Sequence, residues 1–257
     1  MDIKLYALPG SHPCEAVEKA LALKGLAYER VDLLPGVSAL HQLLRFGRRT
    51  VPSLKIDSYK IIGTPLILRT LDGVVPDPPL FPRDPEERAA VEELERWGDD
   101  DVQNTARWTL LYALTVRPGA GKSFLERANL PSFPDAVASA STNLTFRAEL
   151  ASVGPGRAGA EQWVRGIPGV LDRVDELIAE GRLGGDPPNA ADLQIASSVA
   201  LMMRLEDLRA AIESRPAGQL AQRLFPDFPG NIPAGALPAE WAQAATASRE
   251  SAVTSAA

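Results

Sequence analysis

The apolar and polar positions of this 257-residue chain divide it into two unlike parts. Over roughly the first 74 residues, short strand-like runs alternate with helical stripes. Ile3 to Leu8 reads as a strand. Cys14 to Lys24 reads as a helix carrying Ala16, Val17, Ala20, Leu21 and Leu23, with Gly25 placed as a terminating glycine. Tyr28, Val31 and Leu33 alternate as a second strand, and Ser38 to Leu44 forms a short helix. Ser53 to Ile56 and Tyr59 to Ile62 flank Asp57-Ser58, a two-residue hairpin turn. Thr64 then caps a helix with Pro65 at its first position, running to Leu71. The predicted order is βαβαββα.

Val74 to Pro85 contains Pro76, Pro78, Pro79, Pro82 and Pro85, which excludes both helix and central strand and marks a linker. Everything after it is predicted helical. Glu86 to Leu114 carries Val91, Leu94, Trp97, Val102, Trp108, Leu111 and Leu114 at helical spacing. Gly166 to Glu180 has a 3.6-residue stripe of Ile167, Val170, Leu171, Val174, Leu177 and Ile178. Asn189 caps a further helix through Arg204, followed by Leu205 to Ser214 and Gly218 to Leu224. Residues 117–160 mix glycine and proline with short amphipathic stretches and give no single pattern. The expected organisation is a domain at 1–75, a proline-rich linker at 76–85, an all-helical domain at 86–225, and an extended arm with a frayed tail at 226–257.

The pattern changes meaning at the chain's opening. A strand (Ile3-Lys4-Leu5-Tyr6), a turn (Leu8-Pro9-Gly10) and a helix starting at Ser11-His12-Pro13-Cys14 are followed later by Val51-Pro52 before another strand. This combination resembles a thioredoxin-like domain, and the resemblance implies that the sulfur of a thiol substrate is held at the first helix N-terminus.

Composition narrows the classes of function. The chain carries 27 basic and 33 acidic residues, a net charge of −6, and shows no basic stripe for nucleic acid. Two isolated histidines, His12 and His41, and one cysteine give no metal-ligand spacing. No apolar run is long enough to span a bilayer, and Pro9, Gly10 and Pro13 break the N-terminal stretch, which does not read as a signal peptide. A single cysteine excludes an internal disulfide, so the cytoplasm is the expected location.

An N-terminal βαβαββα unit joined by a proline-rich linker to an all-helical domain resembles the cytosolic glutathione transferases, over Ile3 to about Leu224. The Leu8…Ser11-x-Pro13-Cys14-x-Ala16-Val17 pattern is most similar to the theta-type enzymes. The resemblance implies that Ser11 is the catalytic serine, its hydroxyl donating to the glutathione thiolate. It also implies a glutathione site at Thr50, Val51, Pro52, Gly63 and Thr64, with a cis Val51–Pro52 bond and Arg49 as a nearby cation. Glutathione is then a co-substrate, with no permanently bound cofactor and no metal. The partners are a small thiol and a small electrophile, without nucleic acid or membrane, and the chain forms a homodimer. Pro188-Asn189-Ala190-Ala191-Asp192 is similar to the family's capping motif in the helical domain, whose role is folding. The family's Glu-Ser is replaced here by Gly63-Thr64, and its His-Lys pair by Ser38-Ala39; Arg48, Arg49 or Lys55 are the candidates to restore that charge.

The chemistry of such a site follows from elementary terms. A thiol reacts as thiolate, yet a free thiol near pKa 8.5 is mostly protonated at neutral pH. Unpaired N–H groups, the helix dipole and a hydroxyl donor all favour the anion. Lowering the pKa by about 2 units takes only ~2.7 kcal/mol.

Ser11 is alternatively a plain N-cap. Cys14 sits where the second cysteine of a Cys-x-x-Cys pair would lie, but its partner position is Ser11, so only a monothiol role or a half-buried structural one remains. His12, next to Ser11, reads as a solvated loop histidine, with contact to the thiol or the electrophile as the alternative. Gly121-Lys122-Ser123 lacks the first glycine of a phosphate loop, because Val116 stands there. Asp99-Asp100-Asp101 reads as a solvated face, Trp97, Trp108, Tyr112 and Phe146 as core of the helical domain, and Asn143-Leu144-Thr145 as a sequon by spelling only. Detoxifying conjugation by Ser11 is the leading function. A non-catalytic ligand-binding protein of the same fold and a Cys14-dependent thiol reductase or peroxidase are the alternatives.

Overall fold

A computed structural model describes residues 1–34, 38–130, 147 and 156–246 of the chain. The sequon, Phe146 and the last eleven residues lie outside the described residues.

The first domain is a four-stranded sheet in the order β2-β1-β3-β4, with β1 Ile3–Ala7, β2 Glu29–Asp32, β3 Ser53–Ile56 and β4 Tyr59–Ile62. β2 runs parallel to β1, while β3 and β4 are antiparallel to their neighbours. Period-two alternation decides which side chain meets which layer. Leu5, Leu54 and Ile61 are in register across three strands and are buried. That face is covered by α1 (His12–Leu23) and α3 (Thr64–Val74). Tyr6 points to the other face, where α2 (Ser38–Phe46) brings His41 and Phe46 to ring-centroid distances of 5.9 and 5.0 Å.

The linker is fixed to both domains. Leu80 and Phe81 are almost fully buried, and the Phe81 ring lies beneath the guanidinium groups of Arg69 and Arg88. The buried ammonium of Lys24 donates to Asp72 and to the Pro78 carbonyl.

The helical part opens with α4 (Pro85–Trp97), whose N-cap Asp84 accepts the Glu86 and Glu87 N–H groups at 3.0 Å. The sequence pattern predicts one helix from Glu86 to Leu114, but a π turn at Gly98–Val102 interrupts it before α5 (Gln103–Val116). Gly98 accounts for the place of the break. A methyl group there would lie 3.0 Å from the Ile195 side chain and 3.1 Å from that of Gln194, so these two side chains pack directly on the Gly98 backbone. The acidic run is likewise not a purely solvated face: Asp99 accepts the Gln194 side-chain amide at 2.9 Å, while Asp100 and Asp101 stay exposed.

A 3₁₀ segment, Pro118–Phe124, follows, then α6 (Gly156–Ala179), longer at its start than the stripe at Gly166 suggested. α7 (Ala190–Met202) is buried on every side and forms the centre, packed by α1, α4, α5 and α9 (Pro216–Leu224). Its capping box is complete: Asn189 accepts the Asp192 N–H at 3.0 Å, and the Asp192 carboxylate accepts Asn189 N–H at 2.9 Å and Gly184 N–H at 2.6 Å. α8 (Glu206–Glu213) and a final helix, α10 (Ala239–Thr246), complete the described chain. That last helix departs from the extended arm expected after residue 225, because Trp241 is buried against Tyr112 at 4.8 Å and anchors it to α6.

Candidate functional site

Ser11 is the N-cap of α1, in extended backbone, with Pro13 in the first turn. Its carbonyl accepts the N–H groups of Cys14 (2.9 Å) and Glu15 (3.0 Å), and its own N–H donates to Leu8. The hydroxyl makes no capping bond to the helix. It lies in hydrogen-bonding contact with the Cys14 sulfur, and Ser11 itself is half-buried.

Two further sequence-predicted elements meet each other. The Val51–Pro52 peptide is cis, and the Gly63 N–H donates to the Pro52 carbonyl at 3.0 Å, so the loop before β3 is tied to the start of α3. Gly63, rather than Thr64, is the N-cap of α3; its φ of +87° and ψ of 143° belong to a region that glycine alone occupies comfortably. Thr64 is buried as the first helical residue, Val51 is half-buried, and Thr50, Arg49 and Arg48 are exposed. Lys55 lies elsewhere. With His41, Leu44, Arg45 and Lys60 it lines a shallow hollow of about 460 Å³ on the α2 side of the sheet. Ser38 and Ala39 are half-buried at the start of α2.

The other expectations near Ser11 are corrected by burial. His12 is not a solvated loop residue; it is the first residue of α1, 5% exposed, with Nε2 buried and unpartnered among the described residues. Burial, with the Arg107 guanidinium nearby on α5, pushes its pKa down to about 3, so the ring is neutral. Cys14 is fully buried rather than half-buried, and burial pushes its thiol up to about 12 against the smaller, opposing hydrogen bond from Ser11. A thiol held neutral in the core is not the thiolate that reductase or peroxidase chemistry requires.

Several groups at this site carry no motif in the sequence. Phe124, at the end of the 3₁₀ segment, covers the Pro9–Gly10 loop just before Ser11. Beside it a cavity of about 180 Å³ is lined by Pro9, Gly10, Phe124, Pro229 and the charged side chains of Glu15, Glu18, Arg30 and Arg127. Glu18 accepts from the Tyr28 hydroxyl and from Arg30, and Arg30 also donates to Asp32 at 2.7 Å. The spacing from Ser11 to Glu15, one helical turn, is the only sequence signal that could have drawn attention to Glu15. Among the described residues no cluster of ligating side chains suited to a metal ion is present.

Residues 5–79 match the family model for the glutathione S-transferase N-terminal domain. No curated protein sequence matches the chain. Among solved structures, the β-etherase LigF from Sphingobium sp. strain SYK-6 is similar at 21% identity and a TM-score of 0.60, covering 88% of this chain and 99% of its own. Glutathione transferase F2 from Populus trichocarpa is similar at 16% identity and 0.56, covering 94% and 96%. A glutathione S-transferase from Methylobacterium radiotolerans, solved with glutathione sulfonate, is similar at 20% identity and 0.52, covering 88% and 92%. No helix among the described residues is long and apolar enough to cross a membrane. Residues 5–79 are therefore similar to the glutathione S-transferase N-terminal domain, and over the 88–94% of the chain that these two structures cover it shares their two-part fold, a thioredoxin-like domain followed by a mostly helical one.

Proposed function

We propose that this protein joins glutathione to an electrophilic small molecule, with the Ser11 hydroxyl stabilising the thiolate, in the manner of theta-type transferases. The observation that carries the reading is the state of Ser11. It stands at the N-terminus of a twelve-residue helix with its hydroxyl uncommitted to capping, on a domain that matches the glutathione S-transferase N-terminal family. The cis Val51–Pro52 loop, joined to Gly63 and Thr64, supplies backbone groups for the peptide part of glutathione, and the α3 N-terminus suits its carboxylate. Arg49, exposed beside that loop, supplies the cation. The electrophile enters from the side of the Pro9–Gly10 loop, where the helical domain closes over α1. The remaining proposals are detoxification as the role, a homodimer as the working form, and the cytoplasm as the location. The thiol-binding part is taken to end at the linker, residues 76–85.

The test is calorimetric titration with glutathione, paired with turnover of 1-chloro-2,4-dinitrobenzene, on the wild type and Ser11→Ala. The reading expects glutathione to bind both proteins and the substitution to lower turnover by about 10²-fold or more, as removal of one donor to a reacting anion does. Absence of glutathione binding, or full turnover by Ser11→Ala, would overturn it.

A further inference from the structure

The sheet face under α2 carries a row of lysines. Lys4 of β1, Lys55 of β3 and Lys60 of β4 stand opposite one another across three neighbouring strands. Period-two alternation puts them on the face of Tyr6, away from the buried Leu5, Leu54 and Ile61. Opposed side chains in antiparallel strands start with Cβ atoms about 4.5–5.5 Å apart, where like charges destabilise the pair. The fourth strand ends the row with an acid. Glu29 of β2 lies opposite Lys4 and forms an ion pair with it, and Asp2 adds a weaker attraction there. Lys55 and Lys60 are not matched in this way. Among the described residues no hydrogen bond or ion pair holds the Lys55 ammonium, and that of Lys60 donates to the Arg45 carbonyl.

The helix above completes a basin over this row. His41, Leu44 and Arg45 of α2, together with Lys55 and Lys60, line the hollow of about 460 Å³, and no carboxylate is among its lining residues. The Arg45 guanidinium lies 5.2 Å from the centre of the Tyr6 ring, and Lys60 Nζ lies 5.7 Å from that of Phe46. Two of the cations therefore rest on aromatic faces, which orients them. His41 packs on the same Tyr6 ring, and its Nδ1 is buried with no hydrogen-bond partner among the described residues. The sequence shows the same bias. Residues 33–56 hold Arg45, Arg48, Arg49 and Lys55 and neither Asp nor Glu, in a chain whose net charge is −6. Positive charge is gathered here against the sign of the whole protein.

An anion in the hollow turns the repulsion along the row into attraction. One carboxylate is too little for Arg45, Lys55 and Lys60 together, whereas a phosphate monoester carries about −1.5 to −2. Lysine ammonium groups are compact charges that suit phosphate oxygens. The volume falls in the range of small-ligand sites, about 300–1,000 Å³. We infer that this hollow binds a soluble polyphosphate, the phosphate chain of a nucleotide being of the right charge, with Arg45, Lys55 and Lys60 on its oxygens and His41 donating from Nδ1. None of the residues proposed for glutathione lines the hollow, so the site stands independently of the transferase reading.

The experiment titrates inorganic tripolyphosphate and ATP, at low salt and without magnesium, into the wild type, Lys55→Gln, Lys60→Gln, the double variant and Arg83→Gln. Arg83 is an exposed cation of the linker, away from the hollow. By calorimetry each single variant at the hollow should bind about tenfold more weakly, the size of one lost charged hydrogen bond. The double variant should not bind, and Arg83→Gln should bind like the wild type. Proton NMR locates the site, because the chain has two histidines and His12 is buried in α1. The His41 ring signals, assigned with His41→Gln, should shift on binding, while those of His12 stay in place and report that each variant is folded. Vesicles of phosphatidylcholine and phosphatidylserine form the last arm, since Leu40 and Leu44 are exposed on the same helix. Sedimentation with the vesicles without binding of either soluble phosphate overturns the inference in favour of a membrane surface. Absence of binding altogether, equal binding by the double variant, an equal loss in Arg83→Gln, or unmoved His41 signals each overturn it as well.

Discussion

The ring of Phe124 occupies the space that a side chain at Gly10 would need. A methyl group on Gly10 would lie 2.6 Å from Cδ1 of that ring, and one on Gly230 2.3 Å from Cε1 of the same ring. Both glycines have positive φ, +73° and +96°. The aromatic ring is therefore clamped against two backbone segments remote in sequence, the loop before Ser11 and the arm after α9. Ser123 secures the clamp, its hydroxyl accepting the Asn231 N–H at 2.8 Å.

This clamp predicts non-additive stability effects. Gly10→Ala should cost about 1–3 kcal/mol through backbone strain alone, with the contact to Phe124 adding to it. Phe124→Ala should cost about 3–5 kcal/mol. The double variant should be more stable than the sum of the two predicts, because removing the ring relieves the contact. Chemical denaturation of the four proteins measures the cycle, and strict additivity would contradict the clamp.

Gly63 sits where the resembled family carries an acidic residue, and its backbone resists one. Gly63→Ala is expected to lose about 1–3 kcal/mol although nothing lies within 4 Å of the added methyl group. Thermal unfolding measures this; a neutral result would mean that the α3 N-cap is not held at positive φ.

Cys14 should be silent in the folded protein. Ellman's reagent is expected to titrate no thiol under native conditions and one in denaturant, since the chain holds one cysteine and it is fully buried. Rapid native labelling would restore the reductase alternative.

His12 and Glu15 give stability opposite slopes with pH. The His12 pKa is about 3 in the folded state against 6.5 for the free side chain. The unfolded chain binds the proton first, so stability falls as pH drops from about 6.5 towards 3, by up to about 1.4 kcal/mol per unit. Glu15, at about 7 folded and 4.5 unfolded, holds its proton better in the native state. Its contribution is complete below about 4.5 and is lost as pH rises towards 7. His12→Leu should flatten the acid limb, since no hydrogen bond to Nε2 is forfeited among the described residues. Glu15→Gln should remove the loss between pH 4.5 and 7. Urea midpoints across this range separate the two.

Most of the element order was legible because it rests on local terms. The alternation of Tyr28, Val31 and Leu33 marks β2, the Asp57-Ser58 turn joins β3 to β4, Gly25 closes α1, and Asn189 announces a cap that forms in full with Asp192. The π turn at Gly98 was not legible, because the apolar stripe from Val91 to Leu114 continues through it and only the close approach of α7 requires it. The final helix escaped for a similar reason: its single anchor, Trp241, has meaning only once Tyr112 is beside it. The burial of His12 is not legible because the sequence shows only the strand and helix on either side, not α7 packing against α1 or Arg107 of α5 nearby.

The sequence by itself determined the order βαβαββα, the proline linker, the capping box and the placing of Ser11 at a helix N-terminus. These depend on residues within a few positions of one another, where backbone sterics and hydrogen bonding act directly. The tertiary structure alone decided that Cys14 and His12 are buried and neutral, that Phe124 closes on Gly10, and that Glu15 faces a cavity. Desolvation and contact are set by what packs on a residue from elsewhere in the chain, and no local pattern encodes them.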